Sequence, residues 1–147
     1  MSLEELLGSK VIRRTKPDHD FALKAIGRSI RDIDTAKTLI SNKKFDWSLA
    51  VSYNAMLSAG RALMFNEGYR PSSTDGHVAV VRFLQATLDA EAGGKKMIMR
   101  FNEMRKKRHR IVYEEMDIVS EDEARRMVEW AEEFVGMVSS MIRLKAT

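Results

Sequence analysis

The chain has 147 residues, 44% hydrophobic and 31% charged, the composition of one folded domain rather than of a disordered tract. It contains no cysteine, which excludes disulfides and thiolate metal sites, and no apolar run approaches the roughly 20 residues that span a bilayer. The net charge is only +4, so where the basic residues cluster says more than their total.

Residues 1–16 read as an N-terminal extension without the apolar segment of a signal peptide, and 1–147 as a single helical domain. A first helix is predicted from about Asp18 to Ser41, preceded by Pro17 and capped by Asp18. Leu23, Ile26, Ile30, Ile33 and Ile40 form its expected core face. A second helix is predicted from Asp46, as N-cap, to Glu67, with Gly68 as terminator. It is apolar on most sides, from Trp47 and Leu49 to Met64 and Phe65, which predicts the central, most buried helix. Asn54, Ser58 and Arg61 share one of its faces, either as a buried polar network or as the wall of a cleft.

Tyr69 to Gly76 reads as a loop from its Pro, Ser, Asp and Gly content. A third helix follows from His77 to about Ala90, with Val80, Val81, Leu84 and Leu88 inward, and Gly93-Gly94 breaks the chain. The fourth helix spans about Lys95 to Glu115. After a short link, Ser120-Glu-Asp-Glu123 forms a capping box for a fifth helix reaching about Lys145. Its stripe Ala124, Met127, Val128, Ala131, Val135, Val138 and Ile142 is flanked by Trp130, Phe134, Met137 and Met141. Such a width predicts either a broad core contact or a dimer surface. No β-alternation is evident, so the expected class is all-α.

The fourth helix carries Arg105-Lys106-Lys107-Arg108-His109-Arg110 and then Tyr113. At roughly 100° per residue, Met97, Ile98, Phe101, Met104, Ile111 and Val112 make one stripe, and Arg108 falls near its middle. An arginine so aimed is costly unless paired. It is either half of an ion pair, within the chain or across a dimer, or a functional group. His109 lies four residues from both Arg105 and Tyr113, with Asn102 near the same ridge. Lys106, Lys107 and Arg110 lie off the stripe, on a solvated face that can also attract phosphates. His77 reads as a capping or packing residue. The histidines at 19, 77 and 109 have no ligand spacing, so neither metal nor cofactor is expected. No phosphate loop or glycine-flanked serine is present.

Taken in order, the long apolar helix, the helix opening at His77, Arg105-x-x-Arg108-His109-x-x-x-Tyr113-Glu114 and the capped terminal helix resemble the HEPN domain family (higher eukaryotes and prokaryotes nucleotide-binding). The likeness covers roughly residues 17–146. It implies an up-and-down bundle of about five helices that forms a homodimer. Many members are metal-independent ribonucleases; others are toxins paired with a small nucleotidyltransferase, or non-catalytic modules that bind RNA or nucleotide. The family signature is an arginine, a polar residue, and a histidine four to six residues beyond the arginine. Arg108 matches the arginine and His109 the polar residue, but Tyr113 stands in the place of the histidine. The resemblance implies that Arg108 stabilises phosphate charge, assisted by His109 and Tyr113, with Arg105, Lys106, Lys107, Arg110 and Asn102 binding RNA or nucleotide. Tyrosine is a poor base at neutral pH. Two expectations therefore stand: a ribonuclease toxin, or a non-catalytic module that binds nucleotide, RNA or a nucleotidyltransferase. Both are expected to be cytoplasmic and off the membrane.

Overall fold

The computed structural model describes residues 1–73 and 76–146. Its elements are α1 (Leu3–Gly8), β1 (Ile12–Arg14), α2 (His19–Ser41), α3 (Phe45–Glu67), β2 (Tyr69–Pro71), α4 (His77–Leu88), α5 (Gly94–Tyr113) and α6 (Glu121–Ala146). The all-α expectation holds, with two additions. Residues 1–16 are more than an extension: α1 is closed by a Ser2–Glu5 capping box, and Leu6 and Ile12 are buried in the core. The expected loop after Gly68 begins with a strand, β2, which pairs antiparallel with β1 and sets Ile12 opposite Pro71. Strands of three residues are too short to show an alternating pattern.

Asp18 caps α2 as expected, its carboxylate accepting from the Phe21 amide at 3.0 Å. The buried face of α2 is Ala22, Ile26, Ser29, Ile33, Ala36 and Ile40. Leu23 and Ile30, expected inward, are exposed. The small residues let α3 approach closely. Ser29 Oγ donates to the Ala55 carbonyl at 2.8 Å and Ser48 Oγ to that of Ala36 at 2.9 Å. Both residue pairs fit one antiparallel register, so these hydroxyls fix α2 against α3.

The central α3 touches α2, α4, α5 and α6. It ends at Gly68, whose φ of 87° lies in the left-handed region that glycine adopts without strain. Its start differs from expectation. Asp46 lies inside the helix, and its carboxylate accepts from the amides of Asp117 at 2.7 Å and Val119 at 3.1 Å. It ties down the link between α5 and α6 rather than capping α3.

In α6, Ser120 Oγ accepts from the Glu123 amide at 3.1 Å, while the Glu123 carboxylate reaches Lys107 Nζ at 3.2 Å. The whole predicted stripe of α6 is buried. Of the flanking stripe, Phe134 is fully buried, and Trp130, Met137 and Met141 pack half-buried against the core. The width of α6 thus serves a broad core contact.

An aromatic chain positions α5. Phe101 meets Tyr53 of α3 edge-on (5.4 Å, 71°) and Phe134 of α6 edge-on (5.7 Å, 73°). Full burial of a phenylalanine is worth about 1.5–3 kcal/mol, and each edge-on pair adds about 0.5–1.5 kcal/mol. Ile98 and Met104 complete the buried face. Toward its C-terminus α5 leaves the core: Ile111 is half-buried, and Val112 and Tyr113 are exposed. Among the described residues no helix is long and apolar enough to cross a membrane.

Candidate functional site

Where α5 leaves the core, it faces α4 across a cavity of about 710 Å³. The α5 wall is Asn102, Arg105, Arg108, His109 and Tyr113, a set that helical spacing places on one side of the helix. The α4 wall is His77, Val78, Val81, Arg82 and Gln85, and Tyr53 contributes from α3. Three arginines and two imidazoles meet here, and no carboxylate is among the lining residues. Such a cavity favours an anion.

Arg108 is the half-buried one of the three arginines, and His77 is half-buried opposite the exposed His109. The Arg108 guanidinium lies over the Tyr53 ring, 5.3 Å from the centroid. Side chains on a helix lean toward its N-terminus, which lets Arg108 share the Tyr53 ring with Phe101, two turns earlier on α5. Arg108 Nε is buried and has no hydrogen-bond partner. Among the described residues no carboxylate pairs with Arg108. The ion-pair alternative for this arginine therefore finds no partner within the described chain.

His109 stacks against Tyr113, with ring centroids 4.8 Å apart at 45°. His109 and Tyr113 are exposed, Tyr113 at 72%, so both are open to a ligand. Arg105 is exposed and Asn102 half-buried on the same wall. The other basic residues of the run lie elsewhere. Lys107 pairs with Glu123, Arg110 pairs with Glu115 at 3.0 Å, and the exposed Lys106 is not among the lining residues. The helix turns these three away from the α4 wall because they sit off the Arg108 ridge.

Sequence reasoning missed the α4 wall. His77 opens α4 and its ring lies 6.4 Å from that of Tyr53. Arg82 and Gln85 share its side of the helix. The local signal was slight, since only the packing of α4 against α5 turns these residues toward Arg108. Among the described residues no cluster of three or more His, Asp or Glu is placed to hold a metal ion.

A family model described as the HEPN domain matches residues 22–141, which include every residue of both walls. No curated protein matches the chain.

Proposed function

The chain belongs to the HEPN domain family, and from that membership and the chemistry of the cavity we propose that it is a metal-independent endoribonuclease acting at Arg108. The observation that carries this reading is the placement of Arg108. It is a permanent cation, half-buried on a phenol ring, with no carboxylate partner among the described residues and with Arg82 and Arg105 beside it. A phosphodiester supplies the negative charge such a site lacks.

In the reaction, one neutral imidazole takes the proton of the ribose 2′-hydroxyl. The 2′-oxygen forms a bond to phosphorus while the bond from phosphorus to the 5′-oxygen breaks. The other imidazole, in its protonated form, delivers a proton to that leaving oxygen. The products are a 2′,3′-cyclic phosphate and a 5′-hydroxyl, with no water consumed and no redox change. His109 from α5 and His77 from α4 divide the two proton transfers. Arg108 and Arg105 stabilise the charge that develops on the phosphoryl oxygens. Asn102 and Gln85 offer amide donors, and Tyr113 a phenol and a stacking face. We extend two family expectations to this chain: a homodimer that closes over the cavity through Val112 and Tyr113, and a small nucleotidyltransferase with which it forms a toxin–antitoxin pair.

Tyr113 supports a second reading. A phenol stands where the signature expects an imidazole, and a module that binds RNA, nucleotide or a nucleotidyltransferase without turnover needs no base there. End-group analysis of RNA incubated with the protein in chelator separates the two. Cyclic phosphate ends, formed on the order of a hundredfold more slowly by His109→Gln, support the ribonuclease. Intact RNA with wild type and cleavage with Tyr113→His support the binding module.

A further inference from the structure

A second cluster of cations lies in the groove between α2 and α3, apart from the Arg108 cavity. Lys24, Arg28 and Arg31 recur at helical spacing along α2, and Arg61 joins them from α3. With Phe21, Ala25 and Ser58 they line a depression of about 290 Å³ that has no carboxylate in its walls. Among the described residues none of the four cations forms an ion pair. The acid beside them is Asp32, whose charge the neighbouring Arg28 and Arg31 favour while burial opposes it more strongly, raising its pKa. Like charges at these spacings repel, so these cations gain nothing from one another.

Two further observations point to the ligand. Phe21 stands 41% exposed at this depression, its ring backed by Phe65 with centroids 4.4 Å apart. A supported, exposed aromatic beside a cationic groove is the arrangement that binds nucleotides, base on ring and phosphate on cations. Arg61 also lies close to the other site. Its Nη2 is 3.8 Å from where a Cβ on Gly76 would stand, and the next residue, His77, lines the Arg108 cavity.

We propose that the α2–α3 groove is a second nucleotide site, in which Lys24, Arg28, Arg31 and Arg61 hold phosphate and Phe21 stacks a base. The inference rests on the RNA-directed reading of the Arg108 cavity and adds an anchor for a nucleotide outside it. The same chemistry suits a nucleotide within the bound strand or a free nucleotide.

The test is an anisotropy titration of the full chain with a short labelled single-stranded RNA, in chelator, over a range of salt. Arg28→Gln/Arg61→Gln is expected to weaken binding about tenfold and to flatten the log–log salt dependence by roughly 1.4, the loss of two phosphate contacts at ~0.7 each. Phe21→Leu, which keeps the packing on Phe65, is expected to weaken RNA but not inorganic polyphosphate. Displacement of the RNA by a nucleoside triphosphate from wild type, but not from the double variant, assigns the groove to free nucleotide. Failure of that competitor, with the double variant still weakened, assigns it to the strand. Wild-type affinity and salt slope in the double variant overturn the proposal, as does absence of RNA and nucleotide binding by the wild type. Polyphosphate binding equal to RNA, with Phe21→Leu silent, also overturns it. Weak RNA binding confined to Arg108→Ala removes the groove and leaves the ribonuclease reading intact. A protein that never cleaves but loses affinity in the double variant does the reverse.

Discussion

The guanidinium of Arg108 rests on the ring of Tyr53, a fully buried residue of the central helix, and this contact fixes a cation at the mouth of the core. Tyr53 is itself held by Phe101, so the reach of Arg108 into the cavity is set by the packing of three helices. Arg108→Lys keeps the charge but loses the planar, stacked geometry. Its RNA cleavage is expected to fall on the order of a hundredfold, with an unfolding midpoint close to that of the wild type. A lysine variant with full activity would show that charge alone is used.

Asp46 is expected to matter for stability although it is partly exposed. It accepts two amides of the link between α5 and α6, and hydrogen bonds to a charged group are each worth about 1.5–3 kcal/mol when shielded. Allowing for solvent at this site, Asp46→Ala should destabilise by about 2 kcal/mol, and Asp46→Asn, which keeps one acceptor oxygen but sets an amide donor against the second N–H, by a comparable amount. Urea unfolding monitored by circular dichroism measures both.

Two glycines should respond oppositely to alanine. A Cβ on Gly60 would stand 2.7 Å from Val80 Cγ1 and 3.0 Å from Leu84 Cδ1, so Gly60→Ala must displace these α4 side chains from their packing on α3. That should lower stability by about 1–3 kcal/mol and loosen the wall that carries His77 and Arg82. A Cβ on Gly27 meets nothing within 4 Å. In the middle of α2 the substitution should stabilise by about 0.5–1 kcal/mol. Thermal melts of the two variants, compared with wild type, check the signs.

Asp32 makes stability depend on pH in an unusual direction for a carboxylate. Burial raises its pKa in the folded state above the ordinary 3.8, against the pull of Arg28 and Arg31. The folded protein then holds this proton more tightly than the unfolded chain does. The stabilisation is complete below the unfolded pKa and is lost as pH rises through the folded value. Asp32→Asn should therefore be more stable than wild type at neutral pH, with the difference shrinking toward pH ~3. A difference that grows on acidification would contradict the sign.

The sequence made Arg108 visible because a charge inside an apolar stripe is a conflict at a single position, and α3 visible because it is apolar on most sides. The face of α2 was harder. Hydropathy favours Leu23 and Ile30, but close packing on α3 selects Ala22, Ser29 and Ala36 instead, and two serines are buried because their hydroxyls bond backbone across the interface. Ser2-Leu-Glu-Glu5 carried for α1 the same capping signal that revealed α6 at Ser120, but in so short a helix no periodicity reinforces it. His77 and Arg82 had no local mark, because only tertiary packing turns α4 toward Arg108. The α2–α3 cations were likewise scattered over two helices, with Arg61 of the Asn54–Ser58–Arg61 face lining the groove and Asn54 outside it.

The most direct measurement is the single-turnover rate of RNA cleavage in chelator by wild type and Arg108→Ala. If the scissile phosphate sits on Arg108, wild type cleaves and the variant is slower by about 10²–10³-fold at unchanged fold. Equal rates for the two proteins, or no cleavage by wild type, would contradict a ribonuclease centred on Arg108.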